Sequence, residues 1–438
     1  MTVRTPSYDV IPGGAVGIFK LGDNLWHVLE LIRTHKTEYP KVEVSWDEDN
    51  PHKSAITIHL PYISLYFPHS PLYQLLSLIS INTIPSQLKS TSSTSSPKPN
   101  SPPNSYSGLS LTYENQVLSS SHLPLTRARV GRLMGPTFIS HQGDVLDFPG
   151  ITFKLVNADL GDTPLGPRED IVNTIIIQPK DNEELEPTLI SCVIQPNKGV
   201  TLGLEGDQII PIMIGKTTSQ DLMLDLGSPL RKFWKEDDRL EKMWGGSGNN
   251  KDKDRDQNGA CFWNYFHYGL DFLVSKQGIV IKILCHSNIP GTPLFQRYAR
   301  CPWFLPTESG ASSSSGQLDS TSSSNAFRSN LSSSSSNISE EYVDEIRLTV
   351  PTPPPEKTNG NVNGNGTTTG KKKKRNGSPA NAMMLDRLVE GGLDGVSGLS
   401  PSRLIGFDGL IIEEDVKSGG ICSILVFRDD NSNKADAE

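Results

Sequence analysis

YGLDFLV followed by KQGIVIKILCH, spanning residues 268–286, and FDGLIIEED followed by SGGICSILVF, spanning residues 407–427, share one plan. Each is a short segment with apolar residues at every second position, a polar turn, then Gly-Ile and a second β-branched segment. Period-two alternation is the signature of a strand with one face buried. A turn glycine supplies the positive φ that a tight hairpin needs. Leu270 and Phe272 correspond to Leu410 and Ile412, and Gly278 and Gly420 hold equivalent turn positions. FPGITFKLV leading to EDIVNTIIIQP (148–179) and LPYISLYF leading to LYQLLSLIS (60–80) are looser copies. One hairpin cannot bury its own apolar face, so such units must pack on one another.

Helical patterns precede some hairpins. In LGDNLWHVLELIRTH, Leu25, Val28, Leu29 and Ile32 fall at i, i+3, i+4, i+7, with Asp23 or Asn24 as N-cap. In KTTSQDLMLDLGSP, Thr218 and Asp221 have capping-box spacing, and Gly227 and Pro229 stop the helix. Helices are expected at about 24–35 and 219–226. The expected fold class is α+β: tandem helix-plus-antiparallel-β-hairpin repeat units packed into a compact body, with long disordered inserts. The units are a first helix-hairpin unit over 12–85, a β-rich unit over 108–214, a third helix-hairpin unit over 215–306 and a C-terminal hairpin unit over 383–428. Between them lie a Ser/Pro-rich linker (86–107), a Ser/Asn/Lys-rich insert (307–382) and a polar tail (429–438), with a further polar, Gly-rich run at 245–259. These stretches have too little apolar surface to offset the entropy of ordering.

The chemistry of known catalytic motifs is missing. GGAVG at 13–17 has no strand pattern before it and no Lys-Ser/Thr after it, so it reads as a turn. Neither G-x-S-x-G nor H-E-x-x-H occurs. No cofactor is implied. Cys261, Cys285, His286 and Cys301 carry ligand chemistry, but their spacing fits no common zinc finger and they read as structural thiols. The odd count of five cysteines, with no C-x-x-C, suits a reduced cytosolic protein. The N-terminus lacks the apolar core of a signal peptide, and no apolar run is long enough for a span. The net charge of −8 argues against a nucleic-acid partner.

Two features remain as candidate sites. Residues 259–304 hold the densest aromatic block, including Trp263, Tyr265, Phe266, Tyr268, Phe272, Phe295, Tyr298, Trp303 and Phe304. It reads chiefly as core, with Asp271 facing solvent. If it instead forms a ligand or partner surface, Asn264, His267, Asp271, Asn288 and Arg297 are its polar groups. Asp408, in the turn-like FDG, is a turn former. The run Lys371, Lys372, Lys373, Lys374 and Arg375 is a candidate contact with anionic lipid or a nuclear signal.

FWNYFHYGLDFL, VIKILCHSNIPG and the closing YARC (262–301) resemble the signature region of the phagosome assembly factor 1 family. SQDLMLDLGSP upstream, LGDNLWHVLELIRTH and the terminal GFDGLIIEED and GGICSILVF are similar to other parts of that family. The resemblance implies a non-enzymatic cytosolic adaptor in autophagy that works with a WD40 β-propeller partner. That partner would supply most of the contact with a phosphoinositide membrane at the phagophore assembly site. Golgi-linked trafficking is the alternative role within the resemblance. A ligand-binding or enzymatic module built on the aromatic block is the alternative outside it.

Overall fold

The protein is described from a computed structural model covering residues 7–83, 109–120, 123–137, 145–155, 170–180, 185–234, 260–306, 401–428 and the backbone of 383–385. The linker at 86–107, the polar run at 245–259, the insert at 307–382 with its lysine run, and the tail lie outside these residues. The chain divides into two compact units, Met1–Thr188 with Gly391–Val396, and Leu189–Glu390 with Ser397–Glu438.

The first unit holds β1 (Ser7–Ile11), β2 (Ala15–Val16), β3 (Phe19–Lys20), α1 (Leu25–Thr34), β4 (Glu43–Ser45), β5 (Ile56–His59), β6 (Ile63–Phe67), β7 (Leu78–Asn82), β8 (Ser110–Tyr113), β9 (Gln116–Ser119), α2 (Arg127–Met134), β10 (Val145–Phe148), β11 (Ile151–Leu155) and β12 (Val172–Ile177). They form a five-stranded sheet, β3-β2-β1-β8-β9, and a seven-stranded sheet, β10-β11-β12-β7-β6-β5-β4. Asn24 caps α1 by accepting the His27 backbone N–H at 2.8 Å. The face Leu25, Val28, Leu29 and Ile32 is buried as its spacing requires. A strand does precede GGAVG, since β1 ends at Ile11; Gly13 and Gly17 take positive φ on either side of the two-residue strand β2, so the segment is a turn followed by a short return strand.

The second unit holds β13 (Leu189–Gln195), β14 (Gly199–Leu204), β15 (Gln208–Met213), α3 (Ser219–Asp225), β16 (Arg231–Trp234), β17 (Cys261–Tyr265), β18 (Leu270–Val274), β19 (Val280–His286), β20 (Trp303–Phe304), β21 (Met383–Leu385), β22 (Ser402–Phe407), β23 (Leu410–Asp415) and β24 (Ile421–Phe427). A four-stranded sheet, β15-β14-β13-β20, and an eight-stranded sheet, β16-β17-β18-β19-β24-β23-β22-β21, share one apolar core. The alternate positions Trp263 and Tyr265 on β17, Leu270 and Phe272 on β18, and Leu410 and Ile412 on β23 all point into it. Thr218 and Asp221 form the capping box of α3. Asp408 and Gly409 make the turn between β22 and β23, and Gly409 takes positive φ.

This architecture corrects the expected α+β repeat. The protein is mostly β-sheet, and its described residues hold three α-helices in all, of 10, 8 and 7 residues. The four expected hairpins exist as the antiparallel pairs β6–β7, β11–β12, β18–β19 and β23–β24. They do not stand as separate units, because their edge strands pair with each other. β7 joins β12, and β19 joins β24. Free strand edges carry unpaired N–H and C=O groups, and joining hairpins edge to edge satisfies them. The C-terminal turn also differs in detail, since Gly419, not Gly420, takes the positive φ.

The aromatic block is mainly core. Tyr265, Phe272 and Phe295 are fully buried, and Tyr265 meets Phe272 edge-on at 5.6 Å. Phe272→Ala should cost about 3–5 kcal/mol, the usual range for deleting a buried ring. A urea transition of the second unit that does not move would show that the cavity collapses or the ring is dispensable.

Candidate functional site

The eight-stranded sheet is buried on both faces around β18, whose five residues are all buried. Phe272 lies in the shared core. Its neighbour Asp271 points to the opposite face, where the segment 287–302 runs over the sheet. Asp271 Oδ1 accepts from Asn264 Nδ2 at 2.7 Å, and its Oδ2 accepts from the Tyr298 hydroxyl at 2.7 Å. His286 Nε2 lies 3.1 Å from the same Oδ2, and with the ring hydrogen on Nε2 it donates to the carboxylate. The Tyr298 ring stacks on His286 with centroids 3.7 Å apart. All four residues are buried.

Asp271 therefore does not face solvent. Asn264 and Asp271 are cross-strand partners in register, so the hairpin itself brings them together. His267 does not join them. It sits in the short 3-10 turn Phe266–Tyr268, half-buried against Tyr268 at 4.0 Å. Asn288, buried and at positive φ, accepts the Gln296 backbone N–H at 3.0 Å and so shapes the covering segment. Arg297 is exposed. The five candidate polar residues thus split into a buried pair, a turn, a loop-shaping group and a surface group. Lys371, Lys372, Lys373, Lys374 and Arg375 lie outside the described residues.

The covering segment is fitted tightly. Gly269 takes positive φ, and a Cβ there would fall 2.3 Å from the Ala299 carbonyl oxygen. Ala299 N–H donates to the Phe266 carbonyl at 2.7 Å, and Cys301 N–H donates to the His286 carbonyl at 2.8 Å. Beyond this, β20 pairs in parallel with β13, so the segment runs from one sheet to the other.

Three thiols meet where it arrives. The Sγ atoms of Cys192 on β13, Cys285 on β19 and Cys301 all lie within 4.8 Å of one another. The S–H of Cys192 holds the Cys285 thiol well below its ordinary pKa. That same contact raises Cys192, and burial raises Cys301. Cys261, Cys285, His286 and Cys301 lack a finger's spacing, and the cysteines read as structural thiols; in the fold Cys192 gathers with Cys285 and Cys301, while Cys261 and His286 lie outside that group.

One surface went unread in the sequence. β16 is an edge strand that pairs only with β17 among the described residues, and all four of its residues are exposed. Phe233 is 50% exposed and Trp234 62%, and Leu224 of the preceding helix is 87% exposed. Arg231 and Lys232 lie beside these aromatics, and the Lys232 ammonium sits 4.0 Å from the Trp263 ring centroid. RKFW is too short to show alternation, and no run around it marks it as a strand.

Asp271→Ala leaves three buried donors without an acceptor and should destabilise the second unit by about 3–5 kcal/mol. Tyr298→Phe removes one donor and should cost about 1–2 kcal/mol. Denaturant titration of the two variants checks both, and equal costs would contradict the hub. Burial lowers the His267 pKa below its ordinary 6.5. Near and below that value the unfolded chain binds the proton and the folded chain resists it, so stability falls as pH drops through the unfolded value. His267→Gln should flatten that loss between about pH 7 and about pH 5, read as melting temperature against pH; an unchanged slope would assign it elsewhere.

No helix among the described residues is long and apolar enough to cross a membrane. No solved structure matches the chain. A Caenorhabditis elegans relative named PHAF1 protein T01G9.2 is 24% identical over 343 residues, which is 65% of this chain and 73% of the relative. The profile of a family described as phagosome assembly factor 1 matches residues 15–94 and 206–352. That span takes in α1, α3, the exposed edge strand β16 and the whole buried polar network, and it exceeds half of the sequence: the chain belongs to the phagosome assembly factor 1 family.

Proposed function

We propose that this protein is a non-enzymatic adaptor in phagosome assembly, binding a WD40 β-propeller protein through the surface around β16 and reaching phosphoinositide membrane mainly with that partner. Family membership supports the phagosome role, and the family's description names no enzymatic activity. The observation that carries the adaptor reading is the edge strand β16, which among the described residues pairs only with β17. A free strand edge offers main-chain hydrogen bonds to an incoming extended segment, and flanking side chains set the choice of segment. Phe233, Trp234 and Leu230 favour an apolar partner, and Arg231 and Lys232 favour an acidic one. The polar groups of the aromatic block do not compete with this reading. Asn264 and Asp271 spend their hydrogen bonds inside the protein, where they hold the fold rather than a substrate. The place of action proposed is the cytoplasm, with recruitment to the phagophore assembly site.

Phe233→Glu with Trp234→Glu should leave folding intact, since both side chains are largely outside the core. The double variant should lose capture of a WD40 propeller protein in quantitative affinity purification. Undiminished capture would remove β16 from the interface, and a wild-type bait that enriches no propeller would sink the adaptor reading. In vesicle flotation at about 0.15 M salt, where charge attraction fades within about 8 Å, the protein alone should float poorly with phosphoinositide vesicles and the complex well. Flotation of the protein alone, retained after alanine replaces Lys371, Lys372, Lys373, Lys374 and Arg375, would instead require a folded lipid site.

A further inference from the structure

Cys192, Cys285 and Cys301 come from three separate segments and two different sheets, yet their sulfurs converge in the core of the second unit. Cys192 and Cys285 are 3.9 Å apart. A free cysteine packs like a small apolar side chain, which accounts for the burial of each one but not for their gathering. The other two cysteines, Cys261 and Cys422, are also buried and stay outside the group. A metal bound to three thiolates at about 2.3 Å places the sulfurs about 4.0 Å apart in a trigonal plane. The observed separations need little change to reach that figure.

We propose that Cys192, Cys285 and Cys301 form a closed three-thiolate site for a soft monovalent cation, Cu(I). The donor count decides the metal. Structural zinc takes four ligands, and no His, Asp or Glu among the described residues joins the three sulfurs. The strand neighbours of the thiols, Ile194 and Leu202 beside Cys192 and Leu270 and Ile283 beside Cys285, are aliphatic and bring no fourth donor. Soft thiolates select Cu(I), which is satisfied by three of them. Each sulfur that ligates releases its proton to solvent, and the cation offsets part of the charge left behind. Because β13, β19 and the segment ahead of β20 each give one ligand, the cation would tie the two sheets together at the point where the covering segment crosses between them.

The test uses the full chain, reduced and kept free of oxygen, dialysed against Cu(I) buffered by a competing chelator. One copper should stay bound per chain, with copper–thiolate absorption in the near ultraviolet. Cys285→Ser and Cys192→Ser should weaken retention by about tenfold or more, while Cys261→Ser and Cys422→Ser retain it. Circular dichroism reports whether each variant is folded. Alkylation mapping of the wild-type chain in urea, where the buried thiols become exposed, gives a second readout, in which copper should delay modification of Cys192, Cys285 and Cys301 together. Only trace copper on the folded wild-type chain, undiminished retention in a folded Cys285→Ser variant, or one bound zinc with copper excluded would overturn the assignment.

Discussion

The carboxylate of Asp271 is the contact on which the second unit turns. It lies on a strand buried from both sides, and an unpaired charge there would cost several kcal/mol. Three donors remove that cost, and each comes from a different piece of chain: Asn264 from β17, His286 from β19 and Tyr298 from the segment above the sheet. The network is therefore a register device as well as a polar contact. A one-residue slip of β17 or β19 would turn its donor to the other face and leave Asp271 unpaired. With the register held, Phe272 and Tyr265 point together into the shared core.

The strands of the four hairpins were legible because alternation is a local signal, whereas others, such as β13, β14 and β15, were not read. The hairpins around Leu65, Phe153, Phe272 and Ile412 follow from side-chain order alone, as do the Asn24 cap and the Thr218–Asp221 box. Edge pairing was not legible, because hydrogen bonds between hairpins leave no mark on side-chain period. The apparent repeat of helix and hairpin thus dissolved into continuous sheets. Asp271 was misplaced for a related reason. LDFLV reads as a strand with one wet face, and only the distant residues 287–302 reveal that this face is covered. The thiol group was hidden by distance in the chain, since Cys192 stands 93 residues from Cys285.

The density of aromatics between Trp263 and Phe304 now has a structural account. Tyr265 and Phe272 fill the space between two sheets, while Tyr298 closes the opposite face and stacks on His286. The family match runs through this block. The edge strand β16 hangs directly on that platform through its pairing with Cys261, Phe262, Trp263 and Asn264. The buried network and the exposed aromatic rim thus meet on two adjacent strands, β17 and β16.

The pairing of β19 with β24 carries a consequence for how the protein is made. Lys282 sits opposite Phe427, and the stretch between them in the chain must be synthesised before the pair can form. At about 5–20 residues per second, that delay is on the order of ten seconds. Throughout it a nascent chain on the ribosome presents a finished hairpin, β18–β19, whose outer edge has no neighbour. Chaperone occupancy should peak in this interval. A premature stop codon anywhere between the two strands would make the interval permanent, releasing a product with a built hydrophobic platform and an open flank, the kind of species that quality control removes.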